Sequence, residues 1–203
     1  MTPSSYRLVI SSPASNMSLW LIHATLLMAI LFALSTYAKA GPIRTGETLP
    51  PMEITVGGKI ILEDSDYLTA PWAGPVSIPM VQVYQYVPGT RKGGSLYDPL
   101  TERMQRELDP TRFRITAIVN LDASSVFIKP FVRAEVVAKQ RVFQLATMVL
   151  DEEGVGVEAW QLDQESTFIV TDEHSTVLAA IFGPPSPEDL DRIFAALAER
   201  LLP

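Results

Sequence analysis

Val83-Tyr84-Gln85-Tyr86-Val87-Pro88-Gly89-Thr90-Arg91-Lys92-Gly93-Gly94-Ser95, written VYQYVPGTRKGGS, is the stretch from which the fold reads outward. Its valines and tyrosines continue a run from Met80, a composition that suits a buried strand. Pro88-Gly89 ends the run, and a basic, glycine-rich loop follows to Ser95. Leu96, Leu100, Met104 and Leu108 then recur at four-residue spacing, which predicts an amphipathic helix over Ser95 to Leu108. Pro99 is compatible with that helix only near its first turn. Phe113 to Asn120 (FRITAIVN) reads as the next strand, completing a strand–helix–strand unit.

The same signals continue in both directions. Upstream, Ile54-Thr55-Val56 and Lys59-Ile60-Ile61-Leu62 flank Gly57-Gly58, which reads as a two-residue hairpin turn. Asp64 to Pro79 reads as a loop, because Pro71, Gly74, Pro75 and Pro79 interrupt any regular element. Downstream, Phe131 to Phe143 reads as a helix with Val132, Val136 and Val142-Phe143 on one side. Thr147 to Leu150 and Phe168 to Val170 read as short strands. Val177 to Phe182 pairs back across Asp172-Glu173-His174-Ser175. The last helix carries the clearest signals. Ser186 is placed to cap it, Pro187 fits its first position, and Glu188 and Asp189 favour its positive end. Leu190, Ile193, Phe194, Leu197 and Leu201 form its apolar stripe. This order predicts an α/β domain with a mixed central sheet, helices on both faces and an N-terminal β-hairpin.

Composition narrows the chemistry. The 203 residues include no cysteine, which excludes disulfides, thiolate nucleophiles, Cys-ligated zinc and iron–sulfur clusters. The first forty residues hold no acid and two bases, Arg7 and Lys39. Beyond them 14 basic residues face all 23 acidic ones, a net charge of −9. Such a body is poorly suited to nucleic acid, whose phosphates need clustered Lys and Arg.

Leu19 to Leu34 (LWLIHATLLMAILFAL) is uncharged, and Ala38-Lys39-Ala40 follows it. A short apolar segment before Ala-x-Ala is the arrangement of a secretory signal, here residues 1–40, with cleavage expected after Ala40. The basic start is weak, and initiation at Met17 would give a leader of more ordinary length. The competing expectation is an uncleaved anchor over residues 17–38, whose apolar run falls just short of the roughly 20 residues that span a bilayer. Either way residues 41–203 form one domain outside the cytoplasm, and any membrane contact runs through the leader.

The element order is that of thioredoxin-like proteins, a three-layer sandwich, and Ser166-Thr167-Phe168-Ile169-Val170-Thr171-Asp172 resembles the segment entering their third core strand. Beyond that, the chain resembles the YtfJ family of bacterial periplasmic thioredoxin-like proteins. The matching pieces are Gly46-Glu47-x-Leu49-Pro50-Pro51-x-x-Ile54, Gln85-x-x-x-Gly89-x-Arg91, Ile118-Val119-Asn120-x-Asp122-Ala123, Phe131-Val132-Arg133 and Ala159-Trp160-Gln161-Leu162-x-x-Glu165-Ser166. The resemblance implies a thioredoxin-like fold and export to the periplasm. It implies no reaction, so it transfers no catalytic residue. Two stretches depart from the pattern, the glycine-rich Pro88–Ser95 loop and Asp122 to Pro130 (DASSVFIKP), which lacks glycine.

In redox thioredoxins the first core strand ends in Cys-x-x-Cys and the opposite wall carries a cis-proline. Here Pro88 to Ser95 occupies the first place and Ser166 the second, and thiol–disulfide exchange is impossible without a thiolate. Peroxidase chemistry of the same kind falls with it. A phosphate-binding Walker loop needs Gly-Lys before Ser or Thr, and Gly94-Ser95 lacks that lysine. What remains is a solvated turn, or a helix N-terminus with free amides beside Arg91 and Lys92 that contacts an anion or a partner. His174 falls in a predicted turn, away from the cleft a Ser-His-Asp set requires. Asp151-Glu152-Glu153 and Asp163-Gln164-Glu165 read as acidic turns, since neither has the alternating ligands of a calcium loop. Trp72, Trp160 and Tyr86 read as core rather than groove.

No cofactor, metal or catalytic residue is therefore expected. The leading expectation is a cysteine-free module that binds a periplasmic protein or peptide through Pro88, Gly89, Arg91, Lys92, Ser95, Glu165 and Ser166. The alternatives are an enzyme of another class acting on a small anionic ligand at residues 88–95, and a membrane-tethered accessory subunit.

Overall fold

A computed structural model describes residues 43–162 and 166–201, except the side chain of Arg91. The leader expected over residues 1–40, with Met17, Ala38 and Ala40, lies outside the described residues, as does Glu165. The elements are β1 (Met52–Leu62), β2 (Tyr67–Gly74), β3 (Val81–Pro88), α1 (Arg91–Gly94), α2 (Asp98–Glu107), β4 (Phe113–Asn120), α3 (Lys129–Val142), β5 (Ala146–Asp151), α4 (Val155–Trp160), β6 (Thr167–Thr171), β7 (Val177–Phe182) and α5 (Pro187–Leu201). The strands form one sheet in the order β2-β1-β5-β4-β3-β6-β7. The three central strands, β5, β4 and β3, are parallel, while β1 and β6 flank them antiparallel.

Alternation along β3 divides the core, because successive side chains leave a strand on opposite faces. Val81, Val83 and Val87 join Leu100 and Met104 of α2, Val132 and Val136 of α3, and Ile193, Leu197 and Leu201 of α5. Tyr84 and Tyr86 face the other way, joining Ile54 and Trp160. Both faces are thus covered, three helices on one and α4 with the N-terminal segment on the other, and β3 is buried on both sides as a central strand should be.

The N-terminal hairpin forms, but not where Gly57-Gly58 suggested. Those glycines lie inside β1, at an irregularity between Ile54 and Lys59, and the hairpin partner is β2. Both have positive φ, 87° and 84°, and a Cβ on Gly58 would come within 2.2 Å of the Ala70 carbonyl oxygen. They therefore build a bulge rather than a turn. The expected loop over Asp64 to Pro79 is likewise corrected. Its central part is β2, whose outer edge tolerates Pro71 because a proline there leaves no ladder partner unpaired.

Other boundaries shift for local reasons. The helix expected from Ser95 begins at Asp98, with Pro99 in its first turn, and a separate helical turn, α1, precedes it. On α3 the buried stripe is Val132, Val136, Val137 and Gln140, while Val142 is exposed, contrary to expectation. Helix α4 was not foreseen at all. In α5, by contrast, Ser186 caps as expected: its Oγ accepts the Asp189 amide at 3.1 Å, and the Asp189 carboxylate accepts the Ser186 amide in return. Ser186→Ala is expected to lose about 1 kcal/mol of stability, a fall of roughly 2–4 °C in Tm by differential scanning calorimetry.

Candidate functional site

The parallel registers set Pro88 beside Asn120 and Asn120 beside Asp151, so three strand ends lie in one row across the sheet. The connections leaving β3, β4 and β5 gather there, at the edge where open α/β sheets place ligands. The pairing of Tyr86 with Thr167 sets Ser166 one step further, beside Val87. Ser166 and the 88–95 loop are therefore neighbours, as the sequence comparison required.

The loop is held tightly. The Gly89 amide donates to the Asn120 carbonyl at 2.8 Å, and the Ser124 hydroxyl donates to the Gly89 carbonyl. A Cβ on Gly89 would lie 2.9 Å from the Asn120 oxygen and closer still to Ser124, so this approach requires glycine. Thr90 caps α1, its hydroxyl accepting the Gly93 amide at 3.1 Å, and its carbonyl accepts the Gly94 amide at 3.0 Å. The amides of Gly93 and Gly94 are thus engaged within this four-residue turn. Lys139 Nζ closes the far end by donating to the Gly94 carbonyl at 2.6 Å. Lys92 and Ser95 stay exposed. Across the gap, Tyr97 Oη donates to the Gly183 carbonyl, and the Gly183 amide donates to the Ser166 carbonyl at 2.6 Å.

Beneath this edge lies a buried polar set that the sequence reading missed. Asp151 is fully buried rather than part of an acidic turn. Its carboxylate accepts the Tyr86 hydroxyl and the Val155 and Gly156 amides, each at 2.9 Å, fixing the start of α4. Glu152 pairs with Arg133 at 2.6 Å. Tyr84 Oη donates to Gln82 Oε1 at 2.6 Å. Burial pushes both tyrosine hydroxyls above their ordinary value of about 10, Tyr86 further through the Asp151 charge beside it. The sign follows. Both tyrosines are neutral in either state below pH 10; above it the unfolded chain loses protons that the folded one keeps, so stability falls. Each of these two tyrosines adds up to about 1.4 kcal/mol per pH unit to the slope, and Tyr84→Phe should flatten it by about that amount in urea titrations between pH 9.5 and 11.5.

His174 is exposed in the β6–β7 turn, 3.9 Å from Glu173. Among the described residues no group of three or more His, Asp or Glu is placed to hold a metal ion. Trp72 meets Tyr84, and Tyr84 and Tyr86 meet Trp160, all edge-to-face, so these aromatics pack against one another in the core. The segment after Ser124, whose hydroxyl holds the Gly89 carbonyl, is different. Val126, Phe127, Ile128 and Phe131 are 76%, 88%, 51% and 76% exposed.

A family model described as a bacterial protein of unknown function (YtfJ_HI0045) matches residues 43–199. The chain belongs to that family. Among its YtfJ relatives, "Uncharacterized protein YtfJ" of Escherichia coli (strain K12) is 28% identical over 166 residues, covering 81% of this chain and 90% of its own. An uncharacterized protein of Haemophilus influenzae (strain ATCC 51907 / DSM 11121 / KW20 / Rd) is 22% identical over 172 residues, covering 84% and 92%. Similar solved structures include a putative thiol:disulfide interchange protein DsbE from Chlorobium tepidum, with TM-score 0.52, 18% identity and coverage of 76% of this chain and 99% of that one. A thiol peroxidase from Chromobacterium violaceum gives TM-score 0.53, 11% identity and coverage of 79% and 89%. These likenesses carry the fold alone. The chain has a thioredoxin-like fold and no cysteine with which to perform thiol chemistry.

Proposed function

We propose that this protein is an exported, non-catalytic thioredoxin-like module that binds a periplasmic protein or peptide at the edge formed by residues 88–95 and 122–131. One observation carries the reading: four large apolar side chains within six residues stand exposed on the segment that follows Ser124, whose hydroxyl holds the Gly89 carbonyl. Single exposed apolar residues are ordinary, but a contiguous patch marks a contact surface. The tight anchoring of Gly89 to Asn120 and Ser124 holds that surface in place, which lowers the entropy lost on binding. Export rests on the apolar segment from Leu19 to Leu34 and on Ala38-Lys39-Ala40.

Affinity capture from envelope extract tests the binding reading. The wild type is expected to retain a partner that the Phe127→Ser/Phe131→Ser variant loses at least tenfold, with Tm unchanged because both side chains are exposed. Equal capture by the two proteins contradicts the reading. An N-terminus at Gly41 by mass spectrometry supports cleavage and removes the tether; an intact leader reverses that conclusion.

A further inference from the structure

We infer that the crevice between α2 and α3 receives one aliphatic side chain presented by a basic polypeptide segment. Its floor is the middle of the sheet, Val87, Ile115, Ala117, Val119 and Met148, and Val132 and Val136 line one side. Ala117 lies in β4 with β3 and β5 paired on either side, yet it remains partly exposed. The two helices therefore leave the centre of the sheet incompletely covered. The space measures about 90 Å³. An apolar cavity of about 150 Å³ admits a benzene ring, so this one suits a smaller group such as the isobutyl of leucine.

Two polar side chains of the crevice, Gln85 and Thr101, are engaged with each other. Gln85 Nε2 donates to Thr101 Oγ1 at 2.7 Å, and Thr101 donates to the Tyr97 carbonyl at 3.1 Å. What they leave is an apolar interior, which favours an apolar occupant. The mouth is acidic. Asp98, Glu102 and Glu135 line it, with Glu102 and Glu135 exposed and outside any ion pair among the described residues. Lys139, the cation among the described lining residues, is engaged by the Gly94 carbonyl and by Asp98 at 3.6 Å. Such a rim attracts Lys and Arg and repels acidic chains. A second copy of this protein, whose body carries net charge −9, is disfavoured for that reason.

This inference rests on the binding reading above only in taking the occupant to be a polypeptide. The probe is a capped pentapeptide with leucine at its centre and two lysines on each side, followed by methyl NMR of Ala117, Val132, Val136 and Met148. Saturable shifts at these methyls are expected. Binding should weaken at least tenfold when serine replaces the leucine, from the lost apolar burial, and similarly when glutamates replace the lysines. Ala117→Leu should fill the crevice and abolish the shifts. Glu102→Lys/Glu135→Lys, at exposed positions, should reverse the charge preference and carries the test if Ala117→Leu does not fold. Unmoved methyls, shifts unchanged by either variant, or shifts that depend on protein concentration alone, as for a second copy, overturn the inference. Capture that depends on Phe127 and Phe131 while the methyls stay unmoved removes the crevice and leaves the proposed function standing.

Discussion

Trp160→Ala is expected to destabilise the protein by about 3–5 kcal/mol, lowering Tm by on the order of 10 °C. Trp160 is fully buried, with ring centroids 5.9 Å from Tyr84 and 6.1 Å from Tyr86. Its Nε1 donates to the Pro50 carbonyl at 2.8 Å, so the residue joins α4, the central strand β3 and the segment before β1. Truncation opens a cavity, removes two aromatic contacts and leaves a carbonyl unpaired. Urea unfolding of the two proteins measures the difference. A loss below about 1 kcal/mol would show that this face of the sheet collapses around the gap and is not organised by the indole.

Asp151→Asn is the second large effect. The carboxylate is an acceptor at both oxygens, for one hydroxyl and two amides. An amide group must turn its NH2 toward at least one of those donors, leaving donor against donor in a fully buried place. The loss is expected at about 2–4 kcal/mol, from one or two unsatisfied buried groups. Tyr86→Phe removes one partner cleanly, and combining the two changes should give less than the sum of their separate effects, since they share one bond. Additive losses in urea midpoints would indicate that the Tyr86–Asp151 contact adds nothing to stability.

Elements whose side chains repeat with their own period were legible in the sequence. Phe113–Asn120 is recovered from its run of β-branched and aromatic residues, the α5 stripe from its helical spacing of Ile193, Leu197 and Leu201, and Ser186 announces that helix. Features set by distant partners were not. Pro71 and Gly57-Gly58 look like breakers until β2 is known to be an edge strand and β1 to carry a bulge. Helix α4 has six residues and is fixed by Gly154 in the left-handed region and by the Asp151 side chain, neither of which leaves a periodic trace. The role of Asp151 depends on Tyr86, 65 residues away. The site was half legible. The sequence pointed to residues 88–95 and Ser166, and strand register makes them neighbours. The exposure of Phe127 and Phe131 was not readable, because exposed and buried phenylalanines look alike in a sequence.

The account stands most directly on site-specific photo-crosslinking in living cells, with a photoreactive residue placed at Phe127 and, as a control on the opposite turn, at His174. It predicts a discrete protein adduct from position 127 that is absent from position 174. Equal adducts at the two positions, or none at 127 in correctly folded protein, would contradict it.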